Sequence, residues 1–327
     1  MEPSLQSLIV RDKATLEATL SLESGAARIE VQCLLQAVLQ VNRAYLLTHP
    51  EQPLTSEQQA RYAALFERRL RGEPLAYILG ERAFYGLNFR VTPATLIPRA
   101  DTELLVELAL ARIQPPSPPA PLPVPAGGIP AASGSKAART GETGEGGRQT
   151  GRGSLFHVLD LGTGSGAIAL SIAHARPDIE VTAVDASQEA LEVAQENARR
   201  LNIGNARLRR SDWFAALAGE RFDLIVSNPP YIADGDAHLA QGDLRFEPRS
   251  ALASGADGLD DIRRIVTQAR EYLNTGGWLL LEHGYDQAER VRALLQQSGF
   301  GGVFSARDLA GIERVSGGSL GSLEESQ

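Results

Sequence analysis

The chain has a single cysteine, Cys33, which excludes an internal disulfide and any thiolate metal cluster. Lysine is almost missing: Lys13 and Lys136 are the only two, so nearly all positive charge is arginine. Against 32 Lys and Arg stand 40 Asp and Glu, a formal charge of -8 with a pI near 5.3. That balance disfavours an affinity built by covering a phosphate backbone with basic residues, and no direct DNA partner is expected. The histidines His49, His157, His174, His238 and His283 are scattered without ligand spacing, so no metal is expected. No window is apolar enough for a membrane-spanning helix. The N-terminal "MEPSLQSLIVRDKATLEATL" has neither the apolar core of a secretory signal nor the arginine-rich, acid-poor look of a transit peptide. The expectation is a soluble, cytoplasmic protein without a membrane partner.

What is present divides the 327 residues into segments of different texture. Residues 1–80 read as helices: in "EVQCLLQAVL" the apolar positions Val31, Leu34, Leu35, Val38 and Leu39 form one stripe, and Cys33 is a packing residue within it. "TSEQ" at 55–58 has capping-box spacing before a helix carrying Tyr62, Leu65, Phe66 and Leu70 on its inner face. Over 81–113, "AFYGLNFRV" reads as two strands around a glycine turn, and "RADTELLVELAL" as a helix with Asp101 at its N-cap. Residues 114–153 are rich in Pro and Gly and poor in large apolar side chains, which predicts a polyproline-like start and then a disordered, solvated loop. From 154 to 316 strands alternate with helices, which predicts an α/β domain with a mostly parallel sheet covered on both faces. Residues 317–327 read as a flexible tail.

Three motifs lie at the carboxyl ends of predicted strands, where such sheets bind ligands. "DLGTGSG" runs from Asp160 to Gly166, and Gly162, Gly164 and Gly166 permit a tight turn and close backbone approach to a ligand. Its G-x-G-x-G spacing is neither the nicotinamide fingerprint nor a P-loop. Asp185 ends the next strand, where a carboxylate accepts from both ribose hydroxyls; its alternative role is capping the helix that begins near Ser187. "SDW" at 211–213 follows the third strand, at the height of an adenine. Asp212 or the backbone would meet the exocyclic amine and Trp213 would cover the ring, unless Trp213 is simply core. After "FDLIV" comes "SNPPY", in which Asn228, Pro229, Pro230 and Tyr231 form a stiff segment rich in unpaired carbonyls, more than a plain turn requires.

A G-x-G-x-G loop, an acid ending strand two and Asn-Pro-Pro-Tyr after the fourth strand together resemble the S-adenosylmethionine-dependent methyltransferases of planar amino groups. "GEPLAYILGERAFYGLNFRV", "TLIPRADTELLVE", "SNPPYI", "HLAQGDLRFEP", "ALASGADGLDDIRRI", "LLLEHG" and "ERV" further resemble the bacterial protein-(glutamine-N5) methyltransferases of the PrmC or HemK family. The resemblance covers everything but the 114–153 insertion and the tail. It departs at Ala100, where the family usually has proline. It implies a Rossmann-like catalytic domain behind a small N-terminal helical bundle that recognises substrate. It implies S-adenosyl-L-methionine as cofactor, held by Gly162, Thr163, Gly164, Ser165, Gly166, Asp185, Trp213 and Asn228. The implied partner is a peptide chain release factor, whose Gly-Gly-Gln glutamine would meet Asn228, Pro229, Pro230 and Tyr231.

The chemistry of an amide explains that motif. A carboxamide nitrogen is a poor nucleophile because its lone pair is delocalised into the carbonyl. Acceptors at the Asn228 side-chain oxygen and the Pro229 carbonyl would take both amide hydrogens, aim the lone pair and stabilise the developing charge. Tyr231 would pack on the flat group, while the prolines hold the acceptors still. The same four residues suit the amino group of adenine or guanine, so a nucleic-acid methyltransferase is the alternative enzyme. From another class, a nucleoside-binding regulator or inactive scaffold would have no need of amide-orienting acceptors.

Overall fold

The computed structural model describes residues 3–113 and 155–321. The insertion expected at 114–153 and residues 322–327 of the expected tail lie outside them. At the N-terminal end stand α1 (Leu5–Leu20), α2 (Ser24–Leu39), α3 (Arg43–Thr48), α4 (Ser56–Leu70) and α5 (Leu75–Leu79). The predicted stripe of α2 is its buried face: Val31, Leu34, Leu35 and Val38 pack with Leu5, Leu8 and Leu16 of α1 and Tyr62 of α4. The capping box of α4 is formed by Thr55 and Gln58, which satisfy each other's backbone amides.

β1 (Glu81–Phe84) and β2 (Leu87–Arg90) form the predicted hairpin. Its turn holds Tyr85 at φ 47° and Gly86 at φ 73°, the two positive values that the I′ form of a two-residue hairpin turn requires. The helix that follows, α6 (Glu103–Arg112), corrects the expected cap: Asp101 lies inside a 3-10 turn, Ala100–Thr102, and the helix has no side-chain cap. The acids there are used across the fold instead, Glu103 accepting from Tyr85 N at 2.8 Å and Asp101 lying 3.6 Å from Arg314.

The large sheet is built from β3 (His157–Leu161), β4 (Glu180–Asp185), β5 (Ala206–Arg210), β6 (Phe222–Ser227), β7 (Leu273–Glu282), β8 (Phe300–Arg307) and β9 (Glu313–Leu320). Between them run α7 (Ala167–Ala175), α8 (Gln188–Arg200), α9 (Asp260–Tyr272) and α10 (Ala288–Gln297). The strand order is β5-β4-β3-β6-β7-β9-β8, parallel as far as β7 and antiparallel beyond it. Side chains of the central strands alternate between two cores: Val158, Val181, Leu224 and Val226 face one, Leu159, Leu161, Ile225 and Leu279 the other. Both faces are covered, which is why these strands read as continuous apolar runs. From β3 the chain winds outward to β4 and β5, then returns to add β6 and β7 on the other side. The crevice at that reversal, beyond the carboxyl ends of β3 and β6, is where a ligand site is expected.

One expectation fails in this region. Residues 317–320, expected to be tail, belong to β9, and neither β9 nor β8 was anticipated. A Cβ on Gly318 would stand 2.9 Å from Phe300 Cβ, and one on Gly317 2.7 Å from the Leu279 carbonyl oxygen. The glycines that suggest looseness are there because the strands pack too closely for side chains. Among the described residues no helix is long and apolar enough to cross a membrane.

Candidate active site

The glycine loop is tied to its neighbours by its own backbone. Gly162 N and Thr163 N both donate to the Val184 carbonyl at 2.9 Å, and Gly166 N returns to Thr163 O at 2.8 Å. Beneath it lies Asp160, fully buried, accepting on one oxygen from Thr163 Oγ1 at 2.6 Å and Ala169 N at 3.2 Å. Burial pushes its carboxyl up to about 7, against those two hydrogen bonds. Ser165 is buried, and its carbonyl accepts from Asn197 Nδ2 at 2.8 Å, which anchors the loop to α8. The three glycines then differ. A Cβ on Gly166 would collide with Leu170, and one on Gly162 would meet the Trp213 ring at 3.4 Å. On Gly164 it would meet nothing within 4 Å, because that position opens onto a cavity.

Asp185 sits at the rim of the same cavity. Its Oδ2 accepts from Gly164 N and its Oδ1 from Ser187 N, both at 2.9 Å, and desolvation raises its pKa. The capping role goes to Ser187, whose hydroxyl accepts from Ala190 N. Each Asp185 oxygen keeps lone-pair capacity for a further donor. Trp213, at φ 50°, packs its ring partly on the core and partly along the cavity. Asp212 lines the cavity too, but its carboxylate is held by Arg264 at 2.9 and 3.0 Å, so the backbone is the better partner for an exocyclic amine.

"SNPPY" follows β6 and enters the cavity from the other side. Ser227 Oγ donates to the Leu161 carbonyl at 2.7 Å, which draws the end of β6 against the glycine loop. Asn228 and Pro230 line the cavity, whereas Pro229, which is buried, and Tyr231, which is half-buried, flank it. Asn228 Nδ2 donates to Thr102 Oγ1 at 3.2 Å. Tyr231 reaches inward, its hydroxyl 3.5 Å from Glu282 Oε1. Burial holds the Tyr231 hydroxyl above its ordinary pKa and pushes Glu282 up to about 7.

Residues outside the predicted set complete the site. Glu247, buried in the loop between β6 and α9, accepts from Ile97 N at 3.0 Å and pairs with Arg99. It thereby holds the segment from Ala94 to Arg99 as one wall of the cavity, with Tyr77 donating to the Thr95 carbonyl at 2.6 Å behind it. Thr102 and Glu282 stand behind Asn228 and Tyr231. "RFEP" and "LLLEHG" do contain the two glutamates, and the usable signal was a carboxylate placed beside a proline or ending an apolar strand. The enclosed space is about 320 Å3, within the range of small-molecule sites.

Residues 14–80 match the family model described as PrmC N-terminal domain, and 152–255 that described as Methyltransferase small domain. A protein of Salmonella typhimurium is 46% identical over 90% of this chain and 93% of its own. One of Bordetella pertussis is 48% identical over 94% of this chain and 100% of its own, and one of Pseudomonas aeruginosa 47% identical over 90% and 92%. All three are named release factor glutamine methyltransferase. That name favours an amide over a base amino group. With the glycine loop and Asn-Pro-Pro-Tyr meeting in one crevice of the expected sheet, the chain belongs to the release factor glutamine methyltransferase family.

Proposed function

We propose that the chain methylates the side-chain nitrogen of the glutamine in the Gly-Gly-Gln motif of peptide chain release factors, using S-adenosyl-L-methionine. The observation that carries this reading is the shared cavity: Gly164 and Asp185 face it from one side and Asn228 from the other. The cofactor's shape suits these residues. Gly164 leaves open space for close backbone approach, Asp185 offers two oxygens to a ribose, and the Trp213 ring covers an adjoining plane. When bound, the sulfonium supplies an electrophilic methyl group.

The chain's own residues have to supply geometry. Asn228 donates to Thr102 through its nitrogen, which leaves its Oδ1 to accept from the substrate amide. Pro229 contributes a carbonyl as the second acceptor, fixed by the two consecutive prolines. With both hydrogens engaged, the substrate nitrogen is turned so that its lone pair points at the methyl and the charge it gains is met by acceptors already in place. No strong base is required beforehand, because the amide nitrogen becomes acidic once alkylated. The helical domain carries substrate recognition, since a cavity of this size reads a side chain and not a whole protein. The test is incubation of purified protein with tritiated methyl donor and either release factor or DNA, then mass mapping of the label. Label on a release factor glutamine supports the reading; label on DNA alone defeats it.

A further inference from the structure

Gln287 stands at the N-cap of α10, is only 5% exposed, and makes no side-chain capping bond to its own helix. Its carboxamide is used elsewhere. Oε1 accepts from Gly284 N at 2.8 Å, and Nε2 donates to the Tyr231 carbonyl at 2.9 Å. The amide of Gly284 only donates and the carbonyl of Tyr231 only accepts, so the two ends of Gln287 cannot exchange. Two glycines make room for that one orientation. A Cβ on Gly258 would lie 2.2 Å from Tyr231 O and 2.8 Å from Gln287 Nε2, and one on Gly284 would lie 3.1 Å from Oε1.

Tyr231 closes the Asn-Pro-Pro-Tyr segment, whose other end leaves β6. At the β6 end, Ser227 is paired with Leu161 and Leu281 in the sheet and donates its hydroxyl to the Leu161 carbonyl. At the far end, Tyr231 N and Ile232 N both donate to the Leu252 carbonyl, at 3.2 and 2.9 Å. Among the described residues, Gln287 is the donor that holds the Tyr231 carbonyl itself. Between these anchors Pro229 and Pro230 have no N–H with which to fix themselves, and their φ is locked. A shift at Tyr231 therefore passes back to the Pro229 carbonyl instead of being absorbed. We infer that Gln287, which does not itself line the cavity, is a positioning residue for methyl transfer: by holding the Tyr231 carbonyl it sets where the Pro229 carbonyl and Asn228 stand. This rests on the proposed amide methylation at Asn228 and Pro229.

Glutamate at this position would put the contact under the control of a proton. An ionised carboxylate still accepts from Gly284 N but sets an acceptor against the Tyr231 carbonyl, whereas the protonated acid both donates and accepts. Near it on its own chain are Glu282, His283, Asp286 and Glu289. From the segment before α9 comes Asp257, whose carbonyl lies 3.5 Å from Nε2 and whose carboxylate pairs with Arg263 and Arg290. Asp260 also pairs with Arg263, and the Tyr231 hydroxyl points at Glu282. Wild type and variants share all of these, so the ratio of their rates isolates position 287.

The experiment is single-turnover methyl transfer to intact release factor at saturating donor and substrate, from neutral pH to the acid end of the protein's stable range. Wild type is compared with Gln287→Leu and Gln287→Glu, with donor affinity measured for each by calorimetry. Gln287→Leu should slow transfer about 10-fold to 100-fold, the order of loss when reacting groups are misplaced by about 1 Å. Donor affinity should hold, because the glycine loop and Asp185 are untouched, and this also shows that the variant is folded. At the acid end, Gln287→Glu should recover most of the wild-type rate, and Gln287→Leu should not. A wild-type rate in Gln287→Leu, or rate and donor affinity lost in parallel, would reduce Gln287 to a packing residue. A Gln287→Glu rate no better than that of Gln287→Leu at the acid end would overturn the role as well. Asn228→Ala separates the two ideas: if it is crippled while Gln287→Leu is not, only the positioning role is lost. If Asn228→Ala itself is unimpaired, the methylation reading falls first.

Discussion

The two ends of the cavity are assembled differently. Most of the donor end comes from one continuous β-α-β unit, Asp160 to Asp185, whose turn is closed by bonds between near neighbours and to the Val184 carbonyl, with Trp213 added from after β5. The amide end gathers Asn228 with Thr102, 126 positions away, Tyr231 with Glu282, 51 away, and Glu247 with Ile97, 150 away. The first end is a backbone shape, and a backbone shape is written in closely spaced glycines. The second is a set of side-chain orientations held by distant partners. Damage at the first should therefore register mainly in binding, and damage at the second mainly in rate.

The largest expected effect is at the amide end. Asn228→Ala removes one of two acceptors at the reacting nitrogen, and single-turnover transfer should fall roughly 100-fold to 1000-fold, about 2.7 to 4 kcal/mol, as for other preorganised groups aimed at developing charge. Donor affinity should change far less. Equal losses in rate and donor affinity would erase the contrast between the ends. At the donor end, Asp185→Ala should weaken donor binding by about 1 to 3 kcal/mol, the cost of leaving hydroxyl partners unpaired. Calorimetry decides it. Unaltered affinity in a folded variant would leave Asp185 serving only the Gly164 and Ser187 amides it already binds.

The same contrast explains how much was visible in the sequence. The strands β3, β4 and β6 were legible because burial on both faces leaves them mostly apolar. The glycine loop was visible because its positive φ values suit few residues, and Asn228 because two consecutive prolines follow it. Thr102 and Glu282 were not, since a threonine beside a helix start and a glutamate ending a strand have ordinary local explanations. Only the fold brings them behind Asn228 and Tyr231. β9 was hidden for the opposite reason: Gly317 and Gly318 carry a loop's composition, and the demand for close packing against Leu280 and Phe300 comes from elsewhere in the sheet.

Within the donor end, the glycines offer a finer comparison. Gly164 and Gly166 both have positive φ, 56° and 82°, so alanine strains either. At Gly166 the new methyl also meets Leu170 at 2.9 Å and Ala194 at 3.3 Å, whereas at Gly164 it meets only the cavity. Gly166→Ala should lose stability by about 1 to 3 kcal/mol, the cost of overpacking. Gly164→Ala should lose less stability and more donor affinity. Urea melts paired with calorimetry give both numbers, and the reverse ordering would mean that the ligand does not lie over Gly164.

The smallest effect is a dependence of stability on pH, and it reaches both ends at once. Asp160 and Glu282 are carboxyls pushed up to about 7 by burial, one beneath the glycine loop and one behind Asn228. An unfolded carboxyl titrates at roughly 4, so between that value and about 7 the folded state holds protons the unfolded state has released. Their contribution is complete below the unfolded pKa and is lost as pH rises through the folded one. The carboxylates with lowered values, Glu73, Asp178, Glu189, Asp236, Asp257 and Asp308, act in the opposite sense but below the ordinary carboxylate range, and only the lowered imidazole of His283 opposes the fall, at the acid edge of this window. The wild-type urea midpoint should thus fall between about pH 6 and pH 8, by about 1 kcal/mol of stability for each of the two groups. Asp160→Asn and Glu282→Gln, neutral throughout, should each make that fall shallower. Identical pH slopes in Asp160→Asn and wild type would mean that Asp160 is ionised in the folded state across the window.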